Sequence, residues 1–359
     1  MSEEMAEHVG IPRLPTSAQL TQLLQQSGAL TTGQVQRVTV SQQFQGYADA
    51  ILRLQLTYSS DADLHAPRTL IGKIFGPQWY AASGQSELRF YRDLAPQMPQ
   101  LPVPTFYGGL DDPSTQTCLL LIEDLAEQYA PVKLPLSAVW LERLVDLLVD
   151  LHTHWWEHPA LNAPEFLVPE QAVTRMPQAL DSPGLRVNEA QARQALEHFS
   201  QEHAAELTVD EQDLLHVLAT RWGERFQARV EPGQAITLLH GDFHLLGNVF
   251  LAQAPTVTPP LKILDWTQAK RGLGPHDLMY MLLAVDAPDR VARDTSLLRR
   301  YHAGLLAAGC TGYDWDQCLW DYRFSLLTNL FQALFQASVH WFRKTVTVVQ
   351  AWHSADLLT

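Results

Sequence analysis

Leu239-His240-Gly241-Asp242-Phe243-His244-Leu245-Leu246-Gly247-Asn248-Val249-Phe250 is the stretch whose reading decides the fold. An apolar run leads to an acid behind a His-Gly turn, and β character resumes at Val249-Phe250-Leu251, directly after Asn248. A second element, Ile263-Leu264-Asp265-Trp266, ends another apolar run in a carboxylate. Together they supply what phosphoryl transfer from a nucleotide needs. One carboxylate orients or deprotonates a hydroxyl, while a second carboxylate and an amide oxygen hold Mg²⁺. Such chemistry is mostly positioning and charge neutralisation, so few residues suffice when held rigidly. A third element, Gly-x-Gly-x-x-Asp-Leu from Gly272 to Leu278, lies downstream, and the agreement of three spaced elements makes the signal specific.

Composition sets the outer bounds. At 359 residues and 46% hydrophobic, the chain is long enough for about two domains and a sizeable core. No apolar run approaches the roughly 20 residues of a membrane span, and the acidic start, Met1-Ser2-Glu3-Glu4, has no signal-peptide core. Cys118, Cys310 and Cys318 are scattered and odd in number, which fits a reduced, cytoplasmic setting and no Cys-based zinc site. A net charge of −14 disfavours nucleic acid and anionic membranes as partners, and favours a neutral or cationic small molecule.

Outward from the central stretch, the N-terminal part alternates. A frayed lead-in over residues 1–15 precedes a helix capped at Thr16 or Ser17 and carrying Leu20, Leu23 and Leu24. Strands are expected at 35–40, 50–58 and 68–75, the last holding Lys73 within an apolar run. A lysine there needs a partner or a reason: an outward-facing edge position, or a reach to the α- and β-phosphates of a nucleotide. A helix over 83–94 carries Glu87, and 118–125 is a buried-type strand ending in acids. The rest reads as mostly helical, at 134–156, 210–228, 277–284 and 297–308. Tyr313 to Arg323 leads into one long apolar helix expected to run to about Trp341, and residues 160–210 form a poorly patterned helical insertion with loops. His240 and His244 read as hydrogen-bonding supports of the Asp242 loop.

These elements in this order resemble the phosphotransferases of the aminoglycoside phosphotransferase, choline kinase and ecdysteroid-kinase-like family. Further matches are Ser86-Glu87-Leu88-Arg89-Phe90-Tyr91 and Leu151-His152-Thr153-His154-Trp155-Trp156. The resemblance implies an α+β, two-lobed protein-kinase-like fold with a small N-terminal sheet lobe with one main helix (1–127) that binds ATP. A large, mostly helical catalytic and substrate-binding lobe (128–359) follows. It implies an ATP- and Mg²⁺-dependent kinase acting on the alcohol group of a small hydroxylated substrate. Asp242 becomes the catalytic acid, Asp265 and Asn248 the metal ligands, and Lys73 and Glu87 an ion pair at the phosphates. Backbone groups near Ile122 to Leu125, with Ile122 and Asp124 among them, become the adenine hinge, and Asp277 a brace for the catalytic loop. In such proteins the turn at residues 41–49 covers the phosphates, although with one glycine a plain hairpin fits as well.

One spacing departs from the family. Asn248 follows Asp242 by six residues where the family has five. A bulge at Leu245–Gly247 is expected, with Gly247 supplying a positive φ and both leucines buried beneath the loop. The departure keeps open a non-catalytic, nucleotide-binding relative. His154-Trp155-Trp156-Glu157-His158 also fits H-x-x-E-H, a zinc metallopeptidase motif, though Pro159 follows at once. No G-x-x-x-x-G-K-[ST] occurs, which disfavours a P-loop kinase, and Ala163-Pro164-Glu165 lies on the wrong side of the catalytic loop for a protein kinase.

Overall fold

Alternating periodicity gives way to helical periodicity along the chain, and the architecture follows it. The computed structural model describes residues 14–44, 46, 48, 50–162, 182–231, 233–335 and 338–359. Most of the lead-in, residues 45, 47 and 49 of the turn at 41–49, and much of the insertion with Ala163–Glu165 lie outside the described residues.

Helix α1 (Ser17–Gln26) opens with a reciprocal cap. Thr16 Oγ1 accepts from Gln19 N, and Gln19 Oε1 accepts from Thr16 N, satisfying two donors that the first turn leaves over. Strands β1 (Val35–Phe44), β2 (Ala50–Tyr58) and β3 (Thr69–Phe75) follow. The helical stretch after β3 is α-helical only over α2 (Gln85–Arg89), between wide π-turns at Tyr80–Gly84 and Phe90–Leu94, where an ordinary helix was expected. Gly84 makes the wide turn possible: a Cβ there would lie 2.5 Å from Cys118 Sγ and 2.8 Å from Phe75 Cβ.

β4 (Phe106–Asp112) and β5 (Thr117–Glu123) complete an antiparallel sheet in the order β1-β2-β3-β5-β4. Its two faces differ. Leu52, Leu54, Leu56, Leu70, Ile74, Leu119 and Leu121 form one apolar core with Leu20, Leu23 and Leu24 of α1. The alternate residues, Ile51, Arg53, Ile71, Lys73, Phe75 and Ile122, line a cavity instead, as the two-residue period of a strand requires.

β6 (Tyr129–Pro131) leads to α3 (Ala138–His154), capped by Ser137. Next come α4 (Ser182–Glu202), α5 (Val209–Val230), β7 (Thr237–Leu239) and the single turn α6 (Leu245–Asn248). β8 (Val249–Ala252) and β9 (Leu261–Ile263) form a hairpin, and β10 (Lys270–Gly272) pairs with β7. Helices α7 (Pro275–Leu283), α8 (Arg290–Ala307), α9 (Trp315–Phe335) and α10 (Val339–Ala351) finish the chain. The single helix expected up to Trp341 is thus two. Ser338 starts the second, its side chain accepting from Trp341 N, and α9 ends at Phe335.

The backbone divides into two compact units. The first holds residues through Val132 and also Gly247–Gln268; the second holds Lys133–Leu246 and Ala269–Thr359. A single cut near residue 127 takes no account of that return. The hairpin joins the first unit because β8 pairs with β6, placing Ala252 opposite Tyr129 and Phe250 opposite Pro131. No helix among the described residues is long and apolar enough to cross a membrane.

Candidate active site

The cavity of the first unit has a volume of about 350 Å³, within the range of small-ligand sites. Lys73 projects into it from β3 and is 8% exposed. Its Nζ lies 2.5 Å from Glu87 Oε2 and 3.1 Å from Asp265 Oδ1. Burial opposes its charge, but Asp265 and Glu87 more than compensate and hold it cationic. Burial pushes Glu87 upward, to about 7, against the pull of Lys73. Phe90, one residue past α2, stacks on Trp266 with ring centroids 3.7 Å apart, so the helix carrying Glu87 is anchored to the segment carrying Asp265.

Asp265 has φ +64°, the left-handed region, where a non-glycine residue is uncommon and costs strain. Its Oδ1 also accepts from Thr267 Oγ1 at 2.9 Å. Asn248 and Thr267 line the same cavity, so a carboxylate, an amide and a hydroxyl share it. These hard oxygen donors fit Mg²⁺, which takes one or two protein ligands and fills its remaining positions from phosphates and water. No group of three or more His, Cys, Asp or Glu that could hold a metal occurs among the described residues, and Mg²⁺ shared with a nucleotide requires none.

The extra residue between Asp242 and Asn248 is absorbed differently from expectation. The chain makes one helical turn, α6, rather than a bulge, and Gly247 stays out of the left-handed region. A helix advances about 1.5 Å per residue against about 3.3 Å in a strand, so a turn takes up an additional residue compactly. Leu245 is fully buried, but Leu246 is 51% exposed, so only one of the two leucines packs beneath the loop. The turn ends at Asn248, whose carbonyl accepts from Leu264 N at 2.8 Å, tying it to the approach to Asp265.

Ile122 sits opposite Ile71 and is buried. The Asp124 carboxylate is held by Arg53, with Nε–Oδ2 at 2.8 Å, and also accepts from Ala126 N. Both residues line the cavity.

The second unit holds the Asp242 loop. Gly241 turns the chain at φ +81°. Asp277, fully buried near the start of α7, accepts from His240 N at 2.7 Å and Gly241 N at 2.9 Å, clamping the turn that presents Asp242. Behind it, His152 Nε2 lies 3.3 Å from Asp277 Oδ2, and His152 Nδ1 lies 2.7 Å from Tyr301 Oη. A Cβ on Gly274 would collide with that hydroxyl, so glycine is needed there for the tyrosine to reach the histidine. Burial opposes the charge of Asp277, yet the hydrogen bond from His152 and the neighbouring His276 and His240 hold it down at about 2. Burial and the nearby Lys270 push His276 down to about 4. Within the loop, Asp242 N donates to His240 Nδ1 at 3.3 Å and His244 N donates to Asp242 O at 2.6 Å. Burial lowers the His244 pKa against the pull of Asp242.

The zinc motif is not built. α3 ends at His154, Glu157 has φ +51°, and its Oε1 accepts from Ala235 N at 2.6 Å. His154 and His158 therefore do not share a helix face, and the carboxylate is used to hold a loop. In the sequence His152 stands out only as part of a motif, and Tyr301, His276, Thr267 and Arg53 do not stand out as supports. Thr267, two residues past Asp265, carried a local signal; the others carried none.

No curated protein matches this chain. Solved structures do. One is an ethanolamine kinase from Plasmodium vivax, at 11% identity and TM-score 0.50, covering 88% of this chain and 82% of that one. Another is spectinomycin phosphotransferase in complex with ADP and spectinomycin, at 15% identity and TM-score 0.48, covering 96% and 100%. A third is aminoglycoside-3'-phosphotransferase of type VIII, at 20% identity and TM-score 0.42, covering 81% and 93%. The ethanolamine kinase, with the antiparallel five-stranded sheet and the helical second unit, shows the two-lobed α+β kinase-like fold. The profile of one family spans residues 61–318, from before β3 into α9, and so takes in Lys73, Glu87, Asp242, Asn248, Asp265 and Asp277: the chain belongs to the phosphotransferase enzyme family.

Proposed function

We propose that this protein transfers the γ-phosphoryl group of ATP to a hydroxyl of a small molecule, with Mg²⁺ as cofactor. One observation carries the reading: Lys73, bonded to both Glu87 and Asp265, lies in a cavity of nucleotide size. In this reading Lys73 offsets the charge of the α- and β-phosphates, and Glu87 keeps it in place. Backbone groups from Ile122 to Leu125 hydrogen-bond the adenine. Asp265 and Asn248 hold Mg²⁺, which when bound neutralises phosphate charge during transfer. Asp242 orients the acceptor hydroxyl and takes its proton. The acceptor oxygen bonds to the γ-phosphorus as the bond from that phosphorus to the bridging oxygen breaks, leaving ADP and a phosphoester. The clamp from Asp277 keeps the Asp242 turn rigid, which is where a reaction governed by positioning gains its rate.

The net charge of −14 favours a neutral or cationic acceptor. Three free, buried cysteines fit a cytoplasmic enzyme. The test is a panel of hydroxylated metabolites and antibiotics incubated with Mg·ATP, read by mass spectrometry for a phosphorylated product and by ADP release. Lys73→Met is the matched control. Tight Mg·ATP binding with no product from any acceptor would instead favour the non-catalytic relative.

A further inference from the structure

The register of the five-stranded sheet divides the cavity into two ends. Ile71 and Lys73 face the cavity from the same side of β3, two residues and so about 7 Å apart. Lys73 lies opposite Ile51, and Ile71 lies between Arg53 and Ile122. If the Lys73 row takes the phosphates, as proposed above, the Arg53–Ile71–Ile122 row and the Glu123-Asp124 segment after it face the base.

Two carboxylates stand at that base end, and each is engaged by a basic residue. Asp124 Oδ2 lies 2.8 Å from Arg53 Nε in an ion pair, and its Oδ1 accepts from Arg53 Nη2 at 3.2 Å and Ala126 N at 3.3 Å. Glu123 Oε2 accepts from Lys262 Nζ at 2.5 Å, Thr105 N at 2.9 Å and Thr105 Oγ1 at 3.1 Å. Arg53 is itself fixed, donating from Nη1 to Gln42 Oε1 at 2.6 Å, with its guanidinium 5.3 Å from the Phe44 ring centroid.

Purines differ in what they ask of such a wall. The adenine edge offers one acceptor nitrogen and one amine, which a backbone N–H and C=O satisfy. The guanine edge instead carries a carbonyl, a ring N–H and one amine, and the last two are adjacent donors that a carboxylate accepts well. Buried donors left without an acceptor are costly. We infer that the Arg53–Asp124 pair selects adenine over guanine: by occupying Asp124, Arg53 withholds the acceptor that guanine would use. The inference rests on the nucleotide reading of the cavity.

Titration calorimetry with Mg·ATP and Mg·GTP on the full chain tests it, with thermal melts alongside. Wild type is expected to bind ATP about tenfold or more tighter than GTP. Arg53→Met should narrow that ratio by about tenfold through tighter GTP binding. Adding Asp124→Asn to Arg53→Met removes the anionic acceptor and should restore the preference for ATP. Should Arg53→Met fail to melt cooperatively, Arg53→Gln carries the same expectation. A cooperatively folded Arg53 variant that binds ATP and keeps the wild-type ratio overturns the inference and leaves the nucleotide reading standing. Equal binding of ATP and GTP by wild type does the same, and wild type that binds neither overturns both.

Discussion

Buried charge occurs in both units, with opposite character. In the second unit, Arg229 meets Asp321 two-to-two, Nε–Oδ1 at 2.7 Å and Nη2–Oδ2 at 2.8 Å. Tyr313 Oη (2.9 Å) and Gln317 Nε2 (3.2 Å) add further donors to the same carboxylate. One cation balances one fully buried anion, and the donors saturate it. In the first unit, one cation, Lys73, stands between two carboxylates. Asp265 is set on left-handed backbone, and the group lines a cavity. A saturated, neutral pair holds helices together. An excess of negative charge on strained backbone beside a cavity is what the proposed cation site would draw on.

That contrast separates rate from stability, and the largest effect should be on rate. Asp242→Asn should lower phosphoryl transfer by about 10²–10⁴ with the melting temperature unchanged. Single-turnover kinetics with an acceptor found by the screen measures it, and an active variant would remove Asp242 from the chemistry. Next in size is Asp321→Ala, which strands Arg229 in the core and should cost about 3–5 kcal/mol by urea unfolding. A loss under about 1 kcal/mol would break the comparison, because the saturated pair would then not be holding the fold.

A neutral buried group offers a third case. His276 is 4% exposed and its pKa is pushed down to about 4 from 6.5. The unfolded chain therefore binds the proton first, and stability contributed above the ordinary histidine range is lost as pH falls from about 6.5 to about 4. The loss should approach about 3 kcal/mol. His276→Phe should flatten stability against pH across that window, and an unchanged slope would assign the acid sensitivity elsewhere.

Asp265→Ala sharpens the other side. It keeps a Cβ on left-handed backbone, which alanine tolerates only slightly less well than aspartate, and leaves Lys73 with Glu87, so unfolding should shift by only about 1 kcal/mol. Mg·ATP affinity should nonetheless fall by about tenfold or more in calorimetry. A strongly destabilised Asp265→Ala with intact nucleotide affinity would make this cluster structural after all. The smallest effect is expected from Asn248→Ala, a several-fold rise in the Mg²⁺ concentration needed for half-maximal turnover, on the order of 1 kcal/mol. No change there would mean that the longer Asp242–Asn248 spacing has taken the amide out of the metal site.

Parts of this architecture were legible because they are written locally. Alternation over 50–58 and 69–75 announces strands. A lysine within an apolar strand announces a partner, and Lys73 does stand 2.5 Å from Glu87. Other parts failed for equally specific reasons. The extra residue before Asn248 was expected as a bulge, since glycine permits one, yet a helical turn is also compact and needs no left-handed residue. The helix of Glu87 was expected to be regular, but Gly84 lies against Cys118 and Phe75, and the turns around it widen. The H-x-x-E-H match misled because three letters say nothing of where a helix stops.

By itself, the sequence determined the order of elements, the acids and amide around the central stretch, and the alternation that puts Lys73 and Leu70 on opposite faces of β3. These follow from spacing along a covalent chain, and a strand or helix reads such spacing directly. Only the tertiary structure decided that Arg53 would engage Asp124, that Tyr301 would reach His152 through the gap left by Gly274, and that residues 247–268 would rejoin the first unit through β6. Those partners lie far apart in sequence, and each is chosen by packing and by the need to pair buried charge. Neither constraint leaves a mark on neighbouring residues.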